Sequence, residues 1–237
     1  MANAIRDPAP PTWVAAPPPR LSGETGAPLL RGWIHLAALV VTVPAGALLL
    51  SRAASTWAVG YVAVYVAGLL AVYAASAAYH LLPVSPATRY WLRRADHATI
   101  YVFIATCYTV WCGLVVRGTL STVVLGLAWA GAAVGVVGKV TSFDRLRMVT
   151  GSLYIALGWL AVVTLPDALR ALGWAQLGLL FAMGVTYTGG AVVLALRRPD
   201  PLPEVYGYHE LWHTLVVASG ACYFVVVWGL VAALHRP

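Results

Sequence analysis

The sequence predicts an all-α membrane protein, a seven-transmembrane-helix bundle with its N-terminus in the cytoplasm and its C-terminus outside. Three observations predict it. Of 237 residues, 61% are hydrophobic and 10% charged, and the mean hydropathy is +0.80, far above what a water-soluble domain carries. Apolar runs near the roughly 20 residues that cross a hydrocarbon core of about 30 Å fill the chain, with room for about seven and little else. Basic residues alternate between the connections in the pattern that orients membrane proteins.

The chain divides into a tail, 1–30, and a transmembrane domain, 31–237. Pro8, Pro10, Pro11, Pro17, Pro18, Pro19 and Pro28 preclude a helix in the tail, which is expected to be disordered and cytoplasmic. No cleaved signal peptide is expected, because the first apolar run begins only after Arg31 and has no small-residue cleavage site behind it. Spans are then expected at Trp33 to Leu50, Trp57 to Leu82, Ala95 to Val116, Leu120 to Gly138, Met148 to Leu165, Trp174 to Leu196 and His209 to Leu234. Backbone amides in lipid must be satisfied within the segment, so runs of this length are helices rather than open strands. Pro44 marks a kink candidate in the first span. Gly131 and Gly135 in the fourth, with Gly189 and Gly190 in the sixth, suit close helix approach. Trp33, Trp57 and Trp174 stand where interfacial anchors belong.

Orientation follows from the basic residues. Arg6, Arg20, Arg31, Arg89, Arg93, Arg94, Lys139, Arg145, Arg147, Arg197 and Arg198 fall on one side, and only Arg52, Arg117, Arg170 and Arg236 on the other. The richer side is cytoplasmic by the positive-inside rule. The net charge of +7 is therefore topology information. The arginines stand singly or in pairs with no basic stripe, so nucleic acid is not an expected partner. Cys107, Cys112 and Cys222 lie inside apolar runs without metal-type spacing and read as packing residues, with no disulfide.

Ionisable residues inside spans are costly and usually functional, and with this topology they converge. His80 closes the second span, Asp96 and His97 open the third, and His209 and His213 open the seventh, all at the cytoplasmic level with His35 of the first span. Only His235 falls on the far side. His209-Glu210-Leu211-Trp212-His213 sets two imidazoles at i and i+4 on one helical face, a spacing that lets both meet one metal ion. His80 can supply a third ligand, with Ser76 one turn earlier on its face. Three histidines and an open position suit a catalytic zinc. Asp96 can then act as a base or hydrogen-bond acceptor, and Ser76 can orient a ligand or the substrate.

Simpler readings stand beside these. Asp96 after Arg93 and Arg94 suits an N-cap or an ion-pair partner. His35 and His235 read as headgroup-level polar residues. His97, about 100° from Asp96 on a helix, should point elsewhere. Glu210 suits either solvation beside the sixth loop or, because H-E-x-x-H matches the zincin pattern, the base of an intramembrane metalloprotease.

The segments Ser76-Ala77-Ala78-Tyr79-His80, Asp96-His97-Ala98-Thr99-Ile100-Tyr101 with Ile104-Ala105-Thr106-Cys107-Tyr108-Thr109, and His209-Glu210-Leu211-Trp212-His213 resemble the three signature blocks of the hemolysin III proteins. These are the bacterial branch of the progestin and adipoQ receptor family, which includes the adiponectin receptors. Arg31-Gly32-Trp33-Ile34-His35 resembles that family's approach to its first helix. The resemblance implies seven helices, a cytoplasmic N-terminus and zinc on His80, His209 and His213, accompanied by Ser76 and Asp96. It also implies kinship with alkaline ceramidases, hence hydrolysis of a lipid amide. The animal receptors' long N-terminal region has no counterpart here, so a hormone-receptor role is not expected, and nothing resembles a secreted pore former. The expected partners are membrane lipid and a lipid-like substrate, with a homo-oligomer left open. The expected location is the plasma or inner membrane. A receptor-like, channel-like or cytolytic protein with a structural zinc is the alternative.

Overall fold

The computed structural model describes residues 28–53, 55–141, 145 and 147–234, with the side chains at 147 and 148 outside the description. Residues 1–27 and His235 lie outside it. Among the described residues, seven helical segments are long and apolar enough to cross a membrane. They are α1 (Trp33–Ser51), α2 (Thr56–Leu81), α3 (Pro86–Leu114), α4 (Gly118–Thr141), a fifth span made of α5 (Arg147–Trp159), a 3-10 turn (Leu160–Thr164) and α6 (Leu165–Ala171), then α7 (Trp174–Leu196) and α8 (Tyr208–Ala233). Large apolar side chains face outward along them, among them Val40, Val41, Val134, Phe181 and Val192, as a bundle solvated by lipid requires.

Two boundaries differ from expectation. The third helix begins nine residues before Ala95, because Ser85 caps it by accepting a hydrogen bond from Thr88 N at 3.2 Å and Pro86 occupies its first turn. Serine at the cap and proline just inside it are strong starts for a helix. Arg89, Arg93 and Arg94 therefore ride on the polar opening turns of α3 rather than on a loop, and Arg89 donates to the carbonyls of Tyr79 and Leu82 at the end of α2. The fifth span continues past Leu165 to Ala171 through the 3-10 turn. Such a break strands backbone carbonyls; from α3 the Tyr108 hydroxyl donates to one of them, Leu157 O, at 2.8 Å, and Trp111 Nε1 ties the turn to α3 by donating to the Thr164 hydroxyl at 2.9 Å.

Packing places three helices at the centre. In the most apolar window of each of α2, α3 and α8, 44% of residues are buried, against 6% for α7. The core joins Val62, Tyr65, Leu69 and Val72 of α2 to Tyr108, Val110 and Trp111 of α3 and Tyr223, Val226 and Val227 of α8. Small residues permit the close approaches. A methyl group at Gly135 of α4 would come within 2.4 Å of the Tyr101 ring, and one at Gly190 of α7 within 2.7 Å of Trp212, whereas Gly189 faces open space. Pro44 sits within a continuous α1.

The end of the bundle that holds the starts of α1, α3 and α8 and the end of α2 is closed by a strap. Leu29 and Leu30 donate backbone hydrogen bonds to Glu204 O at 2.9 Å and Val205 O at 3.1 Å, in the α7–α8 connection. Gly32 follows with φ of +82°, and a Cβ there would sit 2.7 Å from the Cβ of His80. Only glycine accepts both that dihedral and that contact without strain.

Candidate metal centre

Four helix ends deliver the ionisable residues to one place. On α8, His209 and His213 lie on the same face one turn apart, as i, i+4 spacing dictates. On α2, Ser76 and His80 do the same, and the strap at Gly32 presses against His80 from the side. One ligand nitrogen from each of His80, His209 and His213 lies within 4.8 Å of the other two. The rings do not stack on one another. His80 is 5.1 Å from His209 at 78° and 5.2 Å from His213 at 60°, and His209 and His213 are 4.5 Å apart at 49°.

Three steeply inclined imidazoles can converge their lone pairs on one point. His80 and His213 are buried and His209 half-buried. Nε2 of both His80 and His209 is buried without a hydrogen-bond partner. Buried polar atoms are ordinarily satisfied, and a cation shared among neutral imidazoles would satisfy these. Both the donor set and its closeness therefore fit a metal ion, with three nitrogen ligands and a fourth position open, the pattern of catalytic zinc.

Asp96 enters from α3, 8% exposed, and interacts with Ser76 across the α2–α3 interface. The Ser76 hydroxyl makes no well-formed hydrogen bond. Asp96 is thus set against the face of α2 that carries His80. His97 turns aside as its position on the helix implies: Nδ1 is 2.9 Å from Arg93 O and 3.5 Å from an Asp96 oxygen, and its backbone carbonyl accepts from the Tyr154 hydroxyl.

Glu210 is not solvated, and both of its carboxylate oxygens have partners. It is 1% exposed. One carboxylate oxygen pairs with Arg31 Nε, and the other accepts from Gly207 N at 2.9 Å, capping α8. Asp200 supports the same turn by accepting from Tyr208 N at 2.7 Å. The H-E-x-x-H string thus splits its labour, with the histidines facing inward and the glutamate tying α8 to the strap. A polar cavity of about 240 Å³ lies over this turn, lined by Pro28, Arg31, Asp200, Pro203, Gly207, Tyr208 and Glu210.

His35 departs most from its sequence reading. It is 4% exposed, packed inside the bundle rather than open to its surroundings. Its ring stacks on His213 with centroids 4.1 Å apart and planes 10° apart, and it touches Tyr73 at 5.4 Å. Sequence reasoning also missed the Arg31–Glu210 pair. The signal for both was the short stretch from Arg31 to His35, where a glycine between a charge and an aromatic marks a tight turn rather than the edge of a span.

The fold and site define a seven-helix integral membrane protein with an intrabundle group of three histidines at one end. The chain belongs to the haemolysin-III related family, whose model matches residues 25–224. It is 26% identical over 196 residues to the Hemolysin-3 homolog of Bacillus subtilis (strain 168), covering 81% of this chain and 89% of the relative. It is 30% identical over 132 residues to Hemolysin-3 of Bacillus cereus, covering 56% and 58%. Its seven spans and its family make it a multi-pass membrane protein.

Proposed function

We propose that the protein is a zinc-dependent hydrolase of a lipid amide or related lipid, acting at the cytoplasmic level of the cell membrane. The observation that carries this reading is the convergence of His80, His209 and His213, whose ligand atoms lie within 4.8 Å of one another inside a membrane bundle. A structural zinc site is usually closed by four protein ligands, whereas three leave a position for chemistry. When bound, zinc acidifies water and polarises a carbonyl. The chain's own residues do the rest. His80, His209 and His213 would hold the ion, Asp96 takes the proton of the attacking water and returns it to the departing amine, and Ser76 orients a ligand or the substrate. Water adds to the carbonyl carbon, the C–N bond breaks, and a fatty acid and an amine leave. A site at headgroup depth reaches the amide of a ceramide-like lipid without moving it across the bilayer.

The distribution of arginines supports a cytoplasmic N-terminus, with the histidine end facing the cytoplasm. Alkaline phosphatase fused after α2 should then be inactive, and fused after α1 active.

The test is metal analysis of the purified protein with fatty acid release from ceramide-like lipids. Wild type should carry one zinc per chain and release fatty acid, and His209→Ala should lose both. A metal-replete protein inert toward a broad lipid panel removes the hydrolase reading. The relatives' name favours one other function, lysis of red cells, with the metal only joining α2 to α8. In that case His80→Ala should destabilise the bundle, while Asp96→Ala leaves lysis intact.

A further inference from the structure

We propose that His35 is a ligand-binding residue of the three-histidine centre, one of its ring nitrogens forming a hydrogen bond with an oxygen of the lipid or water seated there. The proposal rests on the reading of that centre as a metal site open to a carbonyl-bearing lipid.

Both nitrogens of His35 are buried and have no hydrogen-bond partner. If the residue only filled space on α1, an apolar ring would do so without the cost of desolvating two polar atoms. The neighbouring rings do not supply the missing bond. Tyr73 lies against the ring, but its hydroxyl abuts the backbone at Gly220, where a Cβ would be 2.5 Å from it. His213 is stacked face to face, a geometry that brings no N–H in line with a nitrogen.

The stack also decides against a fourth metal ligand. An imidazole coordinates in its own plane, and planes only 10° apart with centroids separated by 4.1 Å cannot direct both lone pairs at one ion. The group whose donor atoms converge accordingly contains His80, His209 and His213 without His35. The remaining partner of suitable chemistry is an oxygen on the open side of the three ligands. A histidine one layer away from a ligand, with an unused donor and acceptor, is placed to hold it.

The experiment uses the full chain in detergent micelles, cobalt as a spectroscopic metal and octanohydroxamic acid as the probe. Metal stoichiometry and cobalt affinity are measured first, then the probe's Kd from the change in the visible cobalt bands. His35→Phe keeps the stack and removes the nitrogens. It should take up one cobalt per chain with affinity within about threefold of wild type, while the probe binds roughly tenfold more weakly, the loss of one hydrogen bond. Unchanged probe affinity overturns the proposal, and so does loss of cobalt to the extent seen in His209→Ala, which would make His35 a support of the metal. If His35→Phe does not fold, His35→Leu and His35→Asn replace it: weaker probe binding in Leu than in Asn supports the role, and equal binding overturns it. A wild-type protein that takes up no cobalt overturns the reading of the centre together with this one. A loaded wild type with indifferent His35 variants overturns this one alone.

Discussion

Arg31 and Glu210 stand 179 positions apart in the chain and form an ion pair that ties the strap before α1 to the first turn of α8. Glu210 is enclosed, while Arg31 keeps 22% of its side chain exposed. Through Gly32 the same strap rests on His80 of α2. One short segment therefore bridges both helices that carry the three-histidine group.

Removing Glu210 should strand the Arg31 guanidinium and the Gly207 amide together. We expect Glu210→Ala to destabilise the bundle by about 2–4 kcal/mol, near the range of a broken buried pair but moderated by water at Arg31. Glu210→Gln still offers an acceptor and should lose about half as much. Unfolding in mixed detergent micelles measures both. Turnover in the Gln variant should persist, whereas its abolition in a folded protein would restore the protease reading.

Gly32→Ala tests the strap itself. A left-handed backbone conformation costs a non-glycine residue about 1–2 kcal/mol, and the added methyl meets His80. Stability should fall by at least that amount, and cobalt affinity should fall with it because His80 is displaced. A variant as stable as wild type and equally able to bind metal would show that the strap does not position His80.

Asp96→Asn separates holding the metal from moving the proton. The carboxyl belongs to neither the strap nor the three-histidine group, so metal content should remain at one per chain. Loss of a general base should reduce turnover by roughly 10²–10⁴-fold. Single-turnover assays paired with metal analysis read both quantities, and loss of the metal would make Asp96 a ligand instead.

Chelation should loosen the bundle reversibly. The three histidines come from α2 and α8, far apart in the sequence, so an ion held between them only in the folded state would add stability by linkage, about 2.7 kcal/mol at a hundredfold excess over its Kd. Treatment with 1,10-phenanthroline should lower the thermal midpoint, and zinc should restore it. In His213→Ala the midpoint should not respond to either.

Much of this molecule was legible because lipid imposes simple demands. A backbone that cannot bond to water must form helices, so the apolar runs specify the spans, and the i, i+4 pair His209 and His213 needs only helical periodicity to share a face. His80 and Asp96 could be placed at the same level because consecutive spans alternate in direction. Boundaries governed by local capping, as at Ser85 and Pro86, lie just outside the apolar run, where hydropathy does not mark them.

His35 and Glu210 were decided only by the tertiary structure. Hydropathy gives the depth of a residue along the bilayer normal but not its rotation about the helix axis or the neighbour it meets. His35 stands in the first turn of α1, at the end of the first span where the sequence puts it, yet α1 is turned so that its ring stacks on His213. Glu210 lies between two inward-facing histidines, yet its carboxylate reaches Arg31 at the opposite end of the chain. Composition and periodicity therefore determined the spans and the level of the site, whereas the pairings across that level arose from the packing of side chains between helices distant in sequence.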